Sequence, residues 1–334
     1  MIQHGSYTEE NFGIQTDDNL YLDCVLVKPT QAQDEDLRVL RVWVPKYPLT
    51  KSSVITCARQ EVKSYGAQGK IAHLVFDLRG TGDSDSLLGN FDFEVDLHAV
   101  EEWAKERFGD INFGFLGFPQ SEYGRINMWP LGVGSVMESY FYPAVGEDLA
   151  PPTIIYLGSY GNFSLRDDAL CVSLAHAGYD VHGLDPLRYL LHASTTNRLT
   201  PNDLFSDMRE LTQMLPTEPI IIGRPLSAGL ALMWAANISA IRGVIAIGRA
   251  QAGFNPGHIF HNSNPYTFGL HRQVSHISPR PVVLVHHAKQ PLGGDKDELN
   301  LLFQSSHDPR RLEKTQKLSS EFLLDMVRWI EENQ

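Results

Sequence analysis

Cysteine is scarce in this chain and positive charge is in deficit. The 334 residues include only Cys24, Cys57 and Cys171. They are odd in number, far apart and each in an apolar setting, so buried, reduced thiols are expected and a disulfide framework is not. Lys and Arg number 28 against 40 Asp and Glu, for a net charge of −12. The largest basic cluster is "DPRRLEK" (308–314), which excludes nucleic acid and anionic membranes as expected partners. No apolar run approaches the roughly 20 residues that span a bilayer. The opening "MIQHGSYTEENFG" has neither the basic nor the apolar region of a secretory signal, so a cytoplasmic location is expected. Motifs are missing as well. No H-E-x-x-H offers a metal site, "GSYGN" lacks the lysine of a P-loop, and "GTGDSD" is too short and acidic to cradle phosphate. Neither a metal nor a cofactor is expected.

What is present reads as an ordinary globular protein, 43% hydrophobic and 20% charged, long enough for one large α/β domain or two small ones. Leu20, Leu22, Cys24 and Leu26 alternate as in a half-buried strand. "RVLRVWV" and the start of "KIAHLVFDLRGTGDSD" are further strands, and "FEVDLHAVEEWAKERF" has helical spacing. "INFGFLGF" is a strand, and "SEYGRINMWPLGVGSVMES" is expected as a Gly-broken helix. After "GEDLAPP" the order restarts. "TIIYLG", "YDVHGLDP", "EPIIIG", "RGVIAIG" and "RPVVLVHH" are strands. "RDDALCVSLAHAG", "TPNDLFSDMRELTQML", "LSAGLALMWAA" and "SSEFLLDMVRWIEENQ" are helices, the second starting at Thr200 and Pro201. Strands alternating with helices predict a doubly wound, mostly parallel α/β sheet.

Landmarks recur. Asp77 and Asp185 each follow a strand, Asp96 and Asp203 each open a helix, and Pro119 and Pro225 each stand two residues after a strand-ending glycine. The offset is about 107 residues throughout, which predicts an internal duplication. The expected division is 1–148 for a first, incomplete half and 149–334 for a second.

"VFDLRGTGDSD" followed by "DFEVDLHAVEEW", and in the second half "AGYDVHGLDPLRY" and "IIIGRPLSAGLALMWAA", resemble α/β-hydrolases of the serine-aminopeptidase-like type, including the hydrolases associated with exosortase systems. The resemblance covers residues 12–130 and 150–333. It implies a nucleophile elbow, G-x-S-x-G, on a sharp turn after a central strand. Here "GFPQSEYG" and "GRPLSAG" place Pro119 and Pro225 under the nucleophile. Proline's φ near −65° cannot adopt the positive φ of that turn, so relaxed strand-to-helix junctions are expected in both halves. The resemblance also implies an acid where Gln290 stands and a histidine where Gln316 and Lys317 stand. Its oxyanion region is replaced by "VPKYP" and by "LGSYG", which makes Tyr160 a candidate ligand contact.

Residues that could still do chemistry are few. Ser227, with Ser121 as the weaker counterpart, is a displaced nucleophile candidate; a small helix-start residue is the plain alternative. His286 and His287 end a strand at the edge where this fold binds ligands. His287 oriented by Asp295 would serve as a base, or these are loop histidines. Asp185 with Arg188 forms an Asp–Arg pair that either contacts a ligand or braces a loop. The insertion 249–280, with His258 and Phe260, resembles a lid over a small, partly apolar molecule or a partner surface; core packing of its rings is the alternative. Three readings follow: a degenerate hydrolase that binds a small-molecule ligand or a protein partner, an ester or acyl hydrolase or transferase using Ser227, or a structural module that forms a homodimer.

Overall fold

The computed structural model describes residues 2–87, 90–119, 124–131, 136–146, 150–159, 163–186, 189, 201–225, 227–248, 270–289 and 295–334. The chain divides into two units, Met1–Glu122 and Tyr123–Gln334.

In the first unit, β1 (Ile2–His4), β2 (Tyr7–Gln15), β3 (Tyr21–Pro29), β4 (Val39–Trp43), β5 (Ile71–Phe76) and β6 (Asn112–Leu116) form one sheet in the order β1-β2-β3-β5-β4-β6. The β2–β3 and β3–β5 pairs are antiparallel, and β5–β4 and β4–β6 are parallel. Helix α1 (Ile55–Tyr65) links β4 to β5, and α2 (Phe93–Phe108) links β5 to β6. Cys24 is buried in β3, as the apolar setting predicts, whereas Cys57 on α1 is exposed.

The second unit holds a longer sheet. Strands β7 (Arg125–Pro130), β8 (Val136–Tyr142), β9 (Thr153–Leu157), β10 (Asp180–Leu184), β11 (Ile220–Gly223), β12 (Gly243–Ile247), β13 (Val282–His287) and β14 (Arg310–Thr315) run in the order β14-β13-β12-β11-β9-β10-β8-β7. From β10 to β14 all neighbours are parallel. Their cores, such as Ile154–Tyr156 and Ile220–Ile222, are buried without polar alternation, because helices cover both faces. One face carries α4 (Pro201–Met214) and α5 (Ala228–Asn237), whose Leu204, Met208, Leu211 and Trp234 join Ile155, Leu157, Ile221 and Val244 in one core. Helix α3 (Leu165–His176) lies by β10 and α8 (Ser320–Glu332) by β12 and β13. Ser164 caps α3 by accepting from Asp167 N–H, and Gly178, at φ +96°, follows its end. The remaining helices are α6 (Leu270–Gln273) and α7 (Lys296–Ser305).

Three expectations are corrected. The stretch 121–139 is not a helix where it is described: residues 125–130 and 136–142 are antiparallel strands, Arg125 opposite Phe141 and Pro130 opposite Val136. β-branched and aromatic residues with period-2 alternation outweigh the helical spacing of a few apolar positions. Those strands pair through β8 with β10 of the second sheet, so the division falls at 122/123 and not at 148/149. The insertion 249–280 is also shorter as a lid. Its last part is α6 and a 3-10 turn at Val274–His276, with Leu270, Val274 and Ile277 buried in the α5 core. No helix among the described residues is long and apolar enough to cross a membrane.

Strands β2 to β6 and β7 to β11 share one order and one set of directions. Each set runs first, second, fourth, third, fifth, with the second strand antiparallel to its neighbours. The first sheet stops there, and the second adds three parallel strands.

Candidate functional site

Parallel α/β sheets bind ligands beyond the carboxyl ends of their strands. In the second unit that edge is built from the ends of β9, β10, β11, β12 and β13. The turn after β11 is tight. A Cβ on Gly223 would lie 2.7 Å from Ala231 Cβ and 2.8 Å from Ala228 Cα, so only glycine lets α5 pack this close to the strand. Arg224 and Pro225 follow, both buried, and Ser227 is the N-cap of α5 with φ −101°. Ser227 is 2% exposed, and its hydroxyl donates to the Gly158 carbonyl at 2.6 Å. Asn19, in the first unit, is the one non-glycine with positive φ among the described residues. The turn at 223–227 therefore lacks the strained residue that lifts a nucleophile above the sheet.

Eight strands in the order one, two, four, three, five to eight, the second antiparallel and the fifth running through a glycine turn into a buried helix, make the architecture of the second unit plain. The fold is α/β-hydrolase-like. The chain matches no protein-family profile and no curated protein. Among solved structures it is similar to the esterase domain of a Rhodothermus marinus protein, at 18% identity over 62% of this chain and 97% of that one, with a TM-score of 0.46. It is also similar to Est1E from Butyrivibrio proteoclasticus, at 12% identity over 64% and 99% with a TM-score of 0.46. A monoacylglycerol lipase from Paleococcus ferrophilus shares 14% identity over 59% and 100%, with a TM-score of 0.44. At these identities the likeness concerns the fold.

Within this α/β-hydrolase-like sheet, His287 ends β13, is 3% exposed, and has an Nδ1 with no hydrogen-bond partner. Burial, then the Arg224 and Arg166 cations, hold its imidazole below the usual value, while the Gln316 backbone pulls the other way. The expected link to Asp295 is not made. Asp295 is exposed and caps α7, accepting from Asp297 N–H at 2.9 Å. His286 is half-buried beside it on the opposite face of the strand. Asp185 is 7% exposed just beyond β10. Ser121, Tyr160, Arg188, His258 and Phe260 lie outside the described residues. No serine hydroxyl bonds an imidazole among the described residues.

Sequence reasoning passed over the most unusual group here, Arg224. Its guanidinium is 7% exposed. Nε lies 3.2 Å from Asp167 Oδ1, without hydrogen-bond geometry, and Nε and Nη1 have no hydrogen-bond partner. Asp167 is fully buried and already engaged: it accepts from Tyr156 Oη at 2.7 Å, from Ser164 N–H at 3.0 Å and from Ser164 Oγ at 2.5 Å. The signal was available. "GRP" places a charged residue at the end of a fully buried strand, and "SLRD" is a capping box that delivers Asp167 to the same edge.

On the other face of the sheet, Leu157, Leu184, Leu204, Met208, Leu230 and Trp234 line an apolar cleft enclosing about 280 Å³ of non-atom space, with Asp185 and Tyr189 also on its wall. Tyr189 Oη donates to Asp207 Oδ2 at 2.5 Å beneath it.

The corresponding edge of the first unit is closed by its own charges. The Lys51 ammonium contacts Asp77 Oδ2 at 2.6 Å and also bonds Asp23. Burial would lower its pKa, but those hydrogen bonds outweigh it and hold the group above the usual value. Asp23, Asp77 and Asp83 cluster as metal ligands might, yet the lysine already neutralises them. Asp77 does not pair with Arg79, whose partners are Asp96 and Asp18. Pro119 does not lead into a helix where the chain is described: residues 125–130 form β7, so "GFPQSEYG" is no elbow.

Proposed function

We propose that this protein is a ligand-binding or accessory protein built on an α/β-hydrolase-like sheet, without serine–histidine–acid turnover. The observation that carries this reading is the commitment of Ser227. Its hydroxyl is spent on the Gly158 carbonyl, in a residue 2% exposed, while Pro225 fills the elbow position. A nucleophile needs a base within reach of its proton, and His287 makes no bond to Ser227. The apolar cleft beside Leu157 and Trp234 supports a small, partly apolar ligand. The shared strand order of the two sheets supports an internal duplication in which the first copy lost its last three strands.

Fluorophosphonate labelling and turnover of p-nitrophenyl acetate test the reading. Neither signal is expected above that of heat-inactivated protein. Labelling that disappears in Ser227→Ala would instead establish the ester or acyl hydrolase. On the present reading Ser227→Ala changes stability alone, by about 1 kcal/mol for one lost hydrogen bond, measured by thermal melting.

A further inference from the structure

The register of the second sheet decides which side chains share a face. Partners across parallel strands point the same way, so Tyr156, Ile222, Ile245 and Val283 form one row. Two residues on, Arg224 continues that row from β11, and His287 continues it from β13. They therefore stand on the face covered by α3, one strand apart, on either side of the end of β12. Both are more than nine-tenths buried, and both carry polar atoms without a partner: Arg224 Nε and Nη1, and His287 Nδ1.

Leaving a buried charged donor unpaired costs more than the roughly 1–3 kcal/mol of a neutral one. Native proteins rarely keep such a group without an occupant or a use. Asp167 does not discharge the debt, because Tyr156 and Ser164 already hold three of its contacts. Arg166, one residue before Asp167 on α3, adds a second cation whose Nη2 donates to the Leu318 carbonyl at 2.9 Å. Two guanidinium groups and an imidazole thus meet one carboxylate, which leaves the cluster short of negative charge.

We infer that Arg224 and His287 form a binding site for a small oxyanion, the carboxylate or phosphate group of the ligand. The inference rests on the ligand-binding reading above. An oxygen of the anion bonds the free guanidinium donors, as is general for arginine with carboxylates and phosphates. A second oxygen reaches Nδ1 of His287, which carries a proton in the complex. The site lies on the face away from the apolar cleft, so it reads the charged end of a ligand, or a separate anion, independently of the cleft.

Isothermal titration with inorganic phosphate and with sodium acetate, at constant ionic strength, tests the proposal and separates the two anion classes. Saturable binding of one of them is expected, weakened at least tenfold by Arg224→Gln and by His287→Phe. The exposed Arg311→Gln on β14 should leave it unchanged. Arg224→Lys, which keeps the charge, covers the case in which the glutamine variant fails to fold and is expected to retain part of the affinity. No saturable binding of either anion overturns the proposal, as does binding that Arg224→Gln leaves intact. Either failure leaves the ligand-binding reading standing; only Ser227-dependent fluorophosphonate labelling removes that.

Discussion

Replacing Arg79 with alanine is expected to lower the stability of the first unit by about 3–5 kcal/mol. Arg79 is 1% exposed, yet every donor it points inward is satisfied. Its backbone N–H and Nε donate to Asp96 at 3.0 and 2.8 Å. Nη1 donates to Asp18 Oδ2 and to Asn90 Oδ1, each at 2.8 Å. Asp96, on α2, is itself fully buried. Burial pushes its carboxyl up, and Arg79 is what opposes that rise. Removing the guanidinium strands this carboxylate, which must then be protonated or solvated, and the loop 78–85 loses its tie to α2. Calorimetry should show the first transition fall by roughly 15 °C. Pairing Arg79→Met with Asp96→Leu should recover most of the loss, because apolar side chains of similar volume replace a buried ion pair at little cost. A single-variant loss under 1 kcal/mol would overturn the argument. The result matters for function, because Arg79 lies in "DLRG", the part of the first half that most resembles a hydrolase. A bracing role there removes the first unit's best claim to an active edge.

Much of this architecture was legible in the sequence, and the reasons are local. Buried parallel strands such as "TIIYL" and "PIIIG" announce themselves as short apolar runs between turn residues, and "TPNDLFSDMRELTQML" has one apolar face and a proline start. Pro225 was informative because its ring limits a backbone angle whatever the surroundings, and the relaxed turn at Ser227 follows from that constraint. The hairpin at 125–142 was not legible as such. Its strands are short and carry few unbroken apolar runs, and they are held by pairing with β10, a contact across more than 35 residues of sequence. Nor was the bonding of Arg79, since "DLRG" invites pairing with Asp77, two residues away. The strand directs successive side chains to opposite sides, and Asp96 on α2 wins. Arg224 escaped for the same reason. Its chemistry comes from a face shared with His287, 63 positions away in the numbering, and strand register alone supplies that neighbour.

Acidification from pH 6.5 to 4 is expected to cost each unit about 3 kcal/mol through a single histidine. In the first unit His73 on β5 is fully buried and accepts from Trp43 Nε1 at 2.8 Å through Nδ1, so its proton sits on Nε2, which has no hydrogen-bond partner. In the second, His182 on β10 is stacked on Phe141, with ring centroids 4.8 Å apart, and meets the edge of Trp129 at 5.5 Å. Burial lowers both imidazoles from 6.5 to about 4. In the unfolded chain each takes a proton near pH 6.5, whereas in the fold neither does until about pH 4. Protonation therefore favours the unfolded state across that window, has no effect above it, and saturates below it. The carboxylates act elsewhere. Glu9 and Glu10, held below their usual value of 4.5 by hydrogen bonds to Arg59 and Arg107, contribute only below that value. Asp18, lowered to about 2 by Thr16 and Arg79, acts lower still. Urea unfolding at pH 7.0, 5.5 and 4.5 should show the midpoint of wild type falling at each step. His73→Gln keeps an acceptor for Trp43 without a titrating ring, and His182→Phe keeps the aromatic stack; together they should flatten the curve over this range. If the double variant loses stability as steeply as wild type between pH 6.5 and 4.5, these two imidazoles are not the cause.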